Sequence, residues 1–95
     1  MNCCEEMKLF RKALDKKNIA WEDKSEELSE EMWFCRTHFE YNGNLVSVIN
    51  GFGTYGGWAG ANGTDVNRGL LEVMIENNEP VGWLTAESAI HLIFD

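Results

Sequence analysis

The glycines of this 95-residue chain include one spacing that could support nucleotide binding. Gly51, Gly53 and Gly56 form a Gly-x-Gly-x-x-Gly pattern, which lets backbone N–H groups approach a pyrophosphate in dinucleotide-binding folds. Such a site also needs a helix that begins at the third glycine, so that the positive end of its dipole faces the phosphate. Four further glycines follow within residues 57–69, and each costs about 1 kcal/mol in a helix interior. The pattern therefore predicts a turn and not a nucleotide site.

Two other groups of residues have types that could support catalysis or metal binding. Cys35 and His38 have a Cys-x-x-His spacing, but if residues 32–41 form a strand, the two side chains lie on opposite faces. His38 would then lie opposite Ser47, with Glu40 on the same face, which is the residue set of a serine hydrolase. A flat strand pair supplies neither a strained turn nor an oxyanion hole, so we expect cross-strand polar pairing. The sequence therefore favours a protein that is not an enzyme and binds no metal or cofactor.

An amphipathic helix is predicted over residues 3–17, with Asn2 as its cap and Asn18 as its left-handed stop. Its buried stripe is expected to comprise Met7, Phe10 and Leu14. Its solvent-facing side is expected to comprise Lys8, Arg11, Lys12 and Lys16.

The strongest local pattern predicts a β-hairpin. Residues 32–41 alternate, and their core face would comprise Trp33, Cys35, Thr37, Phe39 and Tyr41. Asn42-Gly43 suits a two-residue type I′ turn, since both turn residues must take positive φ. The returning strand is residues 45–50, and the turn length places Phe39 opposite Val46.

The rest of the chain completes an α+β fold. Residues 51–69 form a long glycine-rich loop, residues 70–75 and 81–83 form two antiparallel strands, and Thr85 caps a final helix. We expect a single domain over residues 1–95, with an antiparallel sheet of three to five strands around the central hairpin. The N-terminal and C-terminal helices would pack on one face of this sheet.

The net charge of the chain limits the kinds of macromolecule that it is expected to bind. The net charge is −8, of which residues 1–20 contribute +2 and residues 21–95 contribute −10. A body of this charge repels nucleic-acid phosphate and anionic lipid, so neither nucleic acid nor a membrane is expected as a partner. We expect a protein partner of basic character, or a second copy of the chain.

The acidic residues concentrate in residues 22–31, which hold six carboxylates and one lysine. With so few apolar residues, this segment is predicted to be a solvated connector. It could also guide a basic partner electrostatically. The residues that we assign to this role are Glu26, Glu27, Glu30 and Glu31.

The chain has no apolar run that approaches the roughly 18 residues of a membrane span, and its N-terminus lacks a signal-peptide pattern. Its three cysteines suit a reducing compartment better than a disulfide framework, which requires an even number. The predicted location is therefore the cytoplasm, with Cys35 as a small, unpaired core residue.

Phe52, Tyr55 and Trp58 recur at three-residue spacing in the glycine-rich loop. These rings either seal the edge of the core or form a contact surface of rigid aromatics, the residue type that dominates interfaces. We take all three as candidate partner contacts. The alternatives are a ligand pocket or enzyme site beside Gly51–Gly57, to which Asn50, Thr54 or Tyr55 could contribute, and a structural homo-oligomer.

The segments THFEYNGNLVSVINGFGTYGGW and LLEVMIENNEPVGWLTAESAI resemble small acidic bacterial proteins of the kind carried by phages and mobile elements. The resemblance covers most of residues 5–93. These proteins have no assigned activity, so the resemblance implies no site residues. It implies a small accessory or inhibitor protein.

Overall fold

The computed structural model describes residues 2–59 and 66–95, which form two helices and six strands. The helices are α1 (Glu5–Lys16) and α2 (Ala86–Phe94). The strands are β1 (Glu22–Asp23), β2 (Glu26–Glu27), β3 (Trp33–Tyr41), β4 (Asn44–Gly51), β5 (Leu71–Ile75) and β6 (Val81–Leu84). Residues 60–65 of the predicted long loop lie outside the described residues.

The central hairpin forms with the predicted register. Asn42 and Gly43 both have positive φ, at 52° and 79°, and they connect β3 to β4 in two residues. Phe39 lies opposite Val46, as predicted, and both side chains are buried. All pairings in the sheet are antiparallel, in the order β1-β3-β4-β5-β6, and β2 also pairs with β3.

Both helices pack on the same face of the sheet, which confirms the predicted α+β class. The buried stripe of α1 is the predicted one, and Ala86 and Ala89 of α2 join it in a single core with the inward residues of β3, β4 and β5. The backbone N–H of Ala86 donates to the Glu6 carboxylate over 2.7 Å, which ties the start of α2 to the first turn of α1. Asn2 does not cap α1, because the cap position is Cys4 and no side chain accepts a hydrogen bond there.

The opposite face of the sheet, which we call the open face, carries no helix in the described parts of the chain. Register and strand alternation place on it Phe34, Arg36, His38, Glu40, Leu45, Ser47, Ile49, Glu72 and Met74. Cys35 and His38 therefore lie on opposite faces, as the sequence predicted.

The acidic segment is not the unpaired connector that its composition predicts. β1 pairs with β3 through Glu22 opposite His38, and β2 pairs with it through Glu26 opposite Phe34. All four residues of these two strands remain exposed, so they cover the backbone edge of β3 without entering the core. Short, charged strands of this kind protect a sheet edge from pairing with other chains.

Arg11 fastens this segment to the helix layer, although its helical position predicted a solvent-facing side chain. The Arg11 side chain is only 15% exposed. It donates to Thr37 Oγ1 over 2.7 Å and to Asp23 Oδ1 over 3.1 Å, and its guanidinium lies 4.8 Å from the Trp21 ring centroid. Hydrogen bonds from Ser25, together with the charge of Arg11, hold the pKa of Asp23 below its usual range.

A disulfide joins Cys3 to Cys35, so the prediction of unpaired cysteines is wrong. The two Cα atoms lie 5.7 Å apart, where the residues that precede α1 meet β3. Cys4 remains a free, half-buried thiol, and burial raises its pKa. The pairing depends on how α1 packs over the sheet, which cysteine spacing alone does not indicate.

Within residues 2–59 and 66–95, neither helix is long and apolar enough to cross a bilayer.

Candidate functional site

Residues 51–58 of the glycine-rich loop form a compact turn, in which the N–H groups of residues 51–55, 57 and 58 donate hydrogen bonds within the protein. The N–H of Gly53 donates to the carbonyl of Trp58 over 2.7 Å, and the N–H of Gly57 donates to that of Thr54 over 3.1 Å. The N–H of Tyr55 donates to the Glu72 carboxylate over 3.1 Å. A phosphate-binding loop keeps such N–H groups directed at its ligand. The Gly-x-Gly-x-x-Gly segment therefore forms a turn, as the sequence predicted.

Asn50, at the end of β4, anchors both ends of this loop. Its side chain is fully buried. Its amide nitrogen donates to the carbonyl of Leu70 and to Asn67 Oδ1, each over 2.9 Å, and its oxygen accepts from Asn67 Nδ2 over 2.9 Å. Thr54 Oγ1 likewise bonds to the N–H and carbonyl of Gly51. The Asn50 and Thr54 groups that were candidates for a ligand pocket thus hold the loop closed.

Of the three loop aromatics, two pack against other rings and one is exposed to solvent. Trp58 is only 8% exposed, and its ring centroid lies 4.9 Å from that of Trp33 on the helix side of the sheet. Phe52 is partly buried and meets Trp58 edge to face, with 6.3 Å between ring centroids. Tyr55 is 57% exposed. Of the three candidate contacts, Tyr55 alone presents most of its ring to solvent, while Trp58 and Phe52 brace the loop.

Trp83 of β6 adds a second exposed ring beside Tyr55. Trp83 is 56% exposed, and its backbone N–H donates to the Tyr55 carbonyl over 3.2 Å. The guanidinium carbon of Arg68 lies 5.9 Å from the Trp83 ring centroid. We call Tyr55, Arg68 and Trp83 the aromatic corner. Tyrosine, tryptophan and arginine are the three residue types most enriched at interface hot spots.

The backbone of the aromatic corner is held in an unfavourable conformation. Trp83 has φ of 61°, a region that bulky residues rarely adopt, and it lies where the β5–β6 register shifts between Leu71 and Val73. Tyr55 lies directly against Gly82, where an added Cβ would overlap the Tyr55 Cβ. Strained residues persist where the surrounding structure over-determines them, often at functional sites. The backbone segments that carry the two rings are therefore held against each other.

The acidic candidates lie at the same end of the sheet as the glycine-rich loop. Glu26 and Glu27 form β2, which pairs with β3 where Trp33 meets Trp58, and all four candidate glutamates are exposed. We call Glu26, Glu27, Glu30 and Glu31 the acidic edge. From β2 to β6 there are four strand spacings, about 19 Å. One partner could contact both regions.

The His38, Ser47 and Glu40 set lies on the open face, as the register predicted. His38 lies directly opposite Ser47 on two extended strands. Burial, with smaller contributions from the charges of Arg36 and Lys24, lowers the pKa of His38. The neutral form of the His38 ring is therefore favoured. A regular strand pair of this kind places Ser47 at no strained turn, which a nucleophile of the hydrolase type requires.

Comparison of the chain with protein-family models, with curated proteins and with solved structures found no match. The resemblance to small acidic phage-type proteins therefore stays a prediction. Within residues 2–59 and 66–95, no group of three His, Cys, Asp or Glu side chains is placed to hold a metal ion. The candidate site, which comprises the aromatic corner and the acidic edge, is therefore supported only by the exposure and contacts of these residues.

Proposed function

We propose that this protein acts by binding another protein through the aromatic corner, with the acidic edge guiding a basic partner. The observation that carries the proposal is the exposure of Tyr55 and Trp83, 57% and 56%, on backbone segments that are held against each other. Rigid aromatics lose little conformational entropy on binding, so their contact area contributes efficiently to affinity.

The acidic edge supports the same proposal through charge. The body of the chain from residue 21 onward carries −10, and the acidic edge concentrates four of those charges at the loop end of the sheet. Complementary charge chiefly raises the association rate and is screened by salt. A basic partner would therefore associate faster at low ionic strength, while the aromatic corner would set the lifetime of the complex.

The contacts of the glycine-rich loop favour this function over a small-ligand site. The polar groups of Asn50 and Thr54 form the hydrogen bonds that close the loop. The proposal also includes that the protein is not an enzyme, that its partner is basic, and that it is an accessory or inhibitor protein of the phage type. The alternative proposal is a homodimer that forms through the aromatic corner.

A cytoplasmic location also remains a proposal, and the Cys3–Cys35 bond bears on it. Stable disulfides persist mainly in oxidising compartments. Thiol trapping of the protein in intact host cells measures the oxidised fraction directly. A protein that is mostly reduced there supports the cytoplasm, and a fully oxidised one contradicts it.

The test compares three baits in a pull-down from host lysate. The baits are the wild type, a Tyr55→Ser/Trp83→Ser variant and a Leu9→Ser/Leu92→Ser control. The control residues are exposed apolar side chains on the two helices. We expect one partner retained by the wild type and the control and lost by the corner variant, with circular dichroism confirming that all three fold. Trp58 is left unchanged, because its burial makes substitution a test of folding.

Two further measurements separate the alternatives. Substituting the four acidic-edge glutamates with glutamine should slow association at low salt and leave dissociation nearly unchanged. Sedimentation velocity of the wild type detects self-association, and a dimer abolished by Tyr55→Ser/Trp83→Ser would assign the corner to a homodimer. Equal retention of every protein by all three baits would refute a binding role for the corner.

A further inference from the structure

A cleft of about 520 Å³ lies at the β1 edge of the sheet, away from the aromatic corner. The segment that leads from α1 into β1 forms one wall, with Ile19 and Trp21, and β3 and β4 form the other, with Phe39, Glu40 and Leu45. We call this the edge cleft. Its volume lies within the range of pockets that hold small ligands or short peptide segments.

The backbone of β3 is open on the cleft side. Tyr41 and Asn44 flank the two-residue turn and form a hydrogen-bonded pair, so the next pair, Glu40 and Leu45, is not hydrogen-bonded. The N–H and carbonyl of Glu40 therefore point away from β4, toward the sheet edge. β1 begins only at Glu22, opposite His38, so its ladder ends before it reaches Glu40. This edge can accept one more stretch of extended chain.

The side chains around the opening combine acidic and apolar groups. Glu22 and Glu40 stand on the open face on either side of His38, with Glu22 paired to Lys24 over 3.1 Å. Leu45 supplies an exposed apolar surface. Burial lowers the pKa of His38, which lies between the two glutamates, and disfavours a positive charge on its ring at the opening.

Charge along the same edge determines what kind of chain would bind. Residues 19–31 carry six carboxylates and one lysine, and β1 and β2 hold four of these carboxylates beside β3. We propose that the edge cleft binds an extended segment of a basic protein. The segment would add a short strand at Glu40, with cationic side chains toward Glu22 and Glu40 on the open face and the alternate, apolar side chains toward Ile19 and Trp21 on the other face.

A second copy of this chain does not offer such a segment. Five of its eight basic residues lie in positions 8–17, and all but the last of these belong to α1, a helix. A helix has already paired its backbone groups and cannot extend a sheet. The edge cleft is thus a second binding region for a separate protein, and it lies at the opposite edge of the sheet from the aromatic corner.

The test titrates isotope-labelled protein with blocked hexapeptides and follows its nitrogen–proton NMR spectrum. The probe alternates lysine and valine, and the matched control alternates glutamate and valine. With the lysine peptide we expect concentration-dependent shifts at the amides of His38 and Glu40 and at the Trp21 indole N–H. The affinity should fall at least fivefold between low and high salt. We expect no shift with the glutamate peptide.

Variants at position 40 distinguish peptide binding by strand addition from peptide binding by charge attraction alone. Glu40→Pro removes the edge-directed N–H but no β3–β4 hydrogen bond, so affinity should fall at least tenfold. Glu40→Ala keeps the N–H and should lose less. If Glu40→Pro fails to fold, Glu22→Lys/Glu40→Lys serves as the second variant and should abolish lysine-peptide binding. Tyr55→Ser/Trp83→Ser should bind the peptide like wild type, whatever the outcome for the aromatic corner.

Three results would overturn the proposal. One is shifts confined to the acidic edge, which would indicate attraction by charge alone. Another is equal affinity of the wild type, Glu40→Pro and Glu40→Ala, which would exclude strand addition. The third is a shift pattern at His38 and Glu40 that appears on concentrating the protein without peptide, which would assign the edge cleft to a second copy.

Discussion

Loss of the Cys3–Cys35 disulfide should destabilise the fold by an amount that follows from chain length. The bond joins positions 32 residues apart. For a loop of that length, the chain-entropy relation gives a stabilisation of about 3.7 kcal/mol at 25 °C. A domain of this size has a free energy of unfolding of roughly 5–14 kcal/mol. Without the bond, the fold should survive with a much smaller margin.

The assay is urea unfolding of two matched variants. Cys4→Ser keeps the disulfide, and Cys3→Ser/Cys4→Ser removes it and leaves Cys35 with no cysteine to pair with. With an m-value of about 1.5 kcal/mol per M, the midpoint of the double variant should lie about 2.5 M lower. Cys4→Ser should unfold like the oxidised wild type, and the reduced wild type should unfold like the double variant.

Two outcomes would refute this reasoning. Equal midpoints for the two variants would mean that the bond does not form or does not constrain the unfolded chain. A large loss for Cys4→Ser itself would mean that Cys4 is the residue that pairs with Cys35. A peptide map under non-reducing conditions distinguishes these two cases, because it identifies which N-terminal cysteine is linked.

Three further predictions test side-chain contacts. Arg11→Met should cost about 2–4 kcal/mol in urea unfolding, because it removes the hydrogen bonds from the guanidinium to the buried Thr37 hydroxyl oxygen and to the Arg36 carbonyl, whereas exposed Lys12→Met should cost less than about 0.5. Asn50→Asp should cost at least about 2 kcal/mol and speed hydrogen exchange in the loop, since an acceptor then faces the Leu70 carbonyl. The lowered pKa of Asp23 stabilises the fold above the ordinary carboxyl pKa, and this stability is lost as pH falls below about 4. Asp23→Asn should therefore show a shallower loss of stability in that window, and an unchanged pH profile would contradict the assignment.

The elements that the sequence predicted correctly are those with local causes. Asn42-Gly43 imposes a turn, and alternation in residues 32–41 places one face inward, so neighbouring residues alone predict the hairpin and its register. Thr85 caps α2 for a similarly local reason, because its hydroxyl accepts from Ser88 three positions later.

The features that the sequence did not predict depend on contacts between distant parts of the chain. Arg11 is buried because β1 and β3 surround it, and nothing near it in the sequence distinguishes it from the lysines on the same helix. The two strands of the acidic segment form because β3 offers a free edge, although their composition favours a solvated connector. Trp83 lies in a four-residue strand, too short for periodicity to indicate which way its ring faces.

The glycine pattern illustrates how one spacing can serve two physical purposes. In a nucleotide site, glycines let a phosphate approach the backbone; here they let the backbone approach itself. An added Cβ at Gly51 would overlap the carbonyl of Trp33, and one at Gly56 would lie too close to the carbonyl of Leu70, so the chain could not pack this closely with larger residues at these positions. This close packing buries Trp58 against Trp33 and leaves Tyr55 exposed beside Trp83. The same spacing that suggested a phosphate loop thus builds the rigid support of the aromatic corner, and rigidity favours binding of a protein surface.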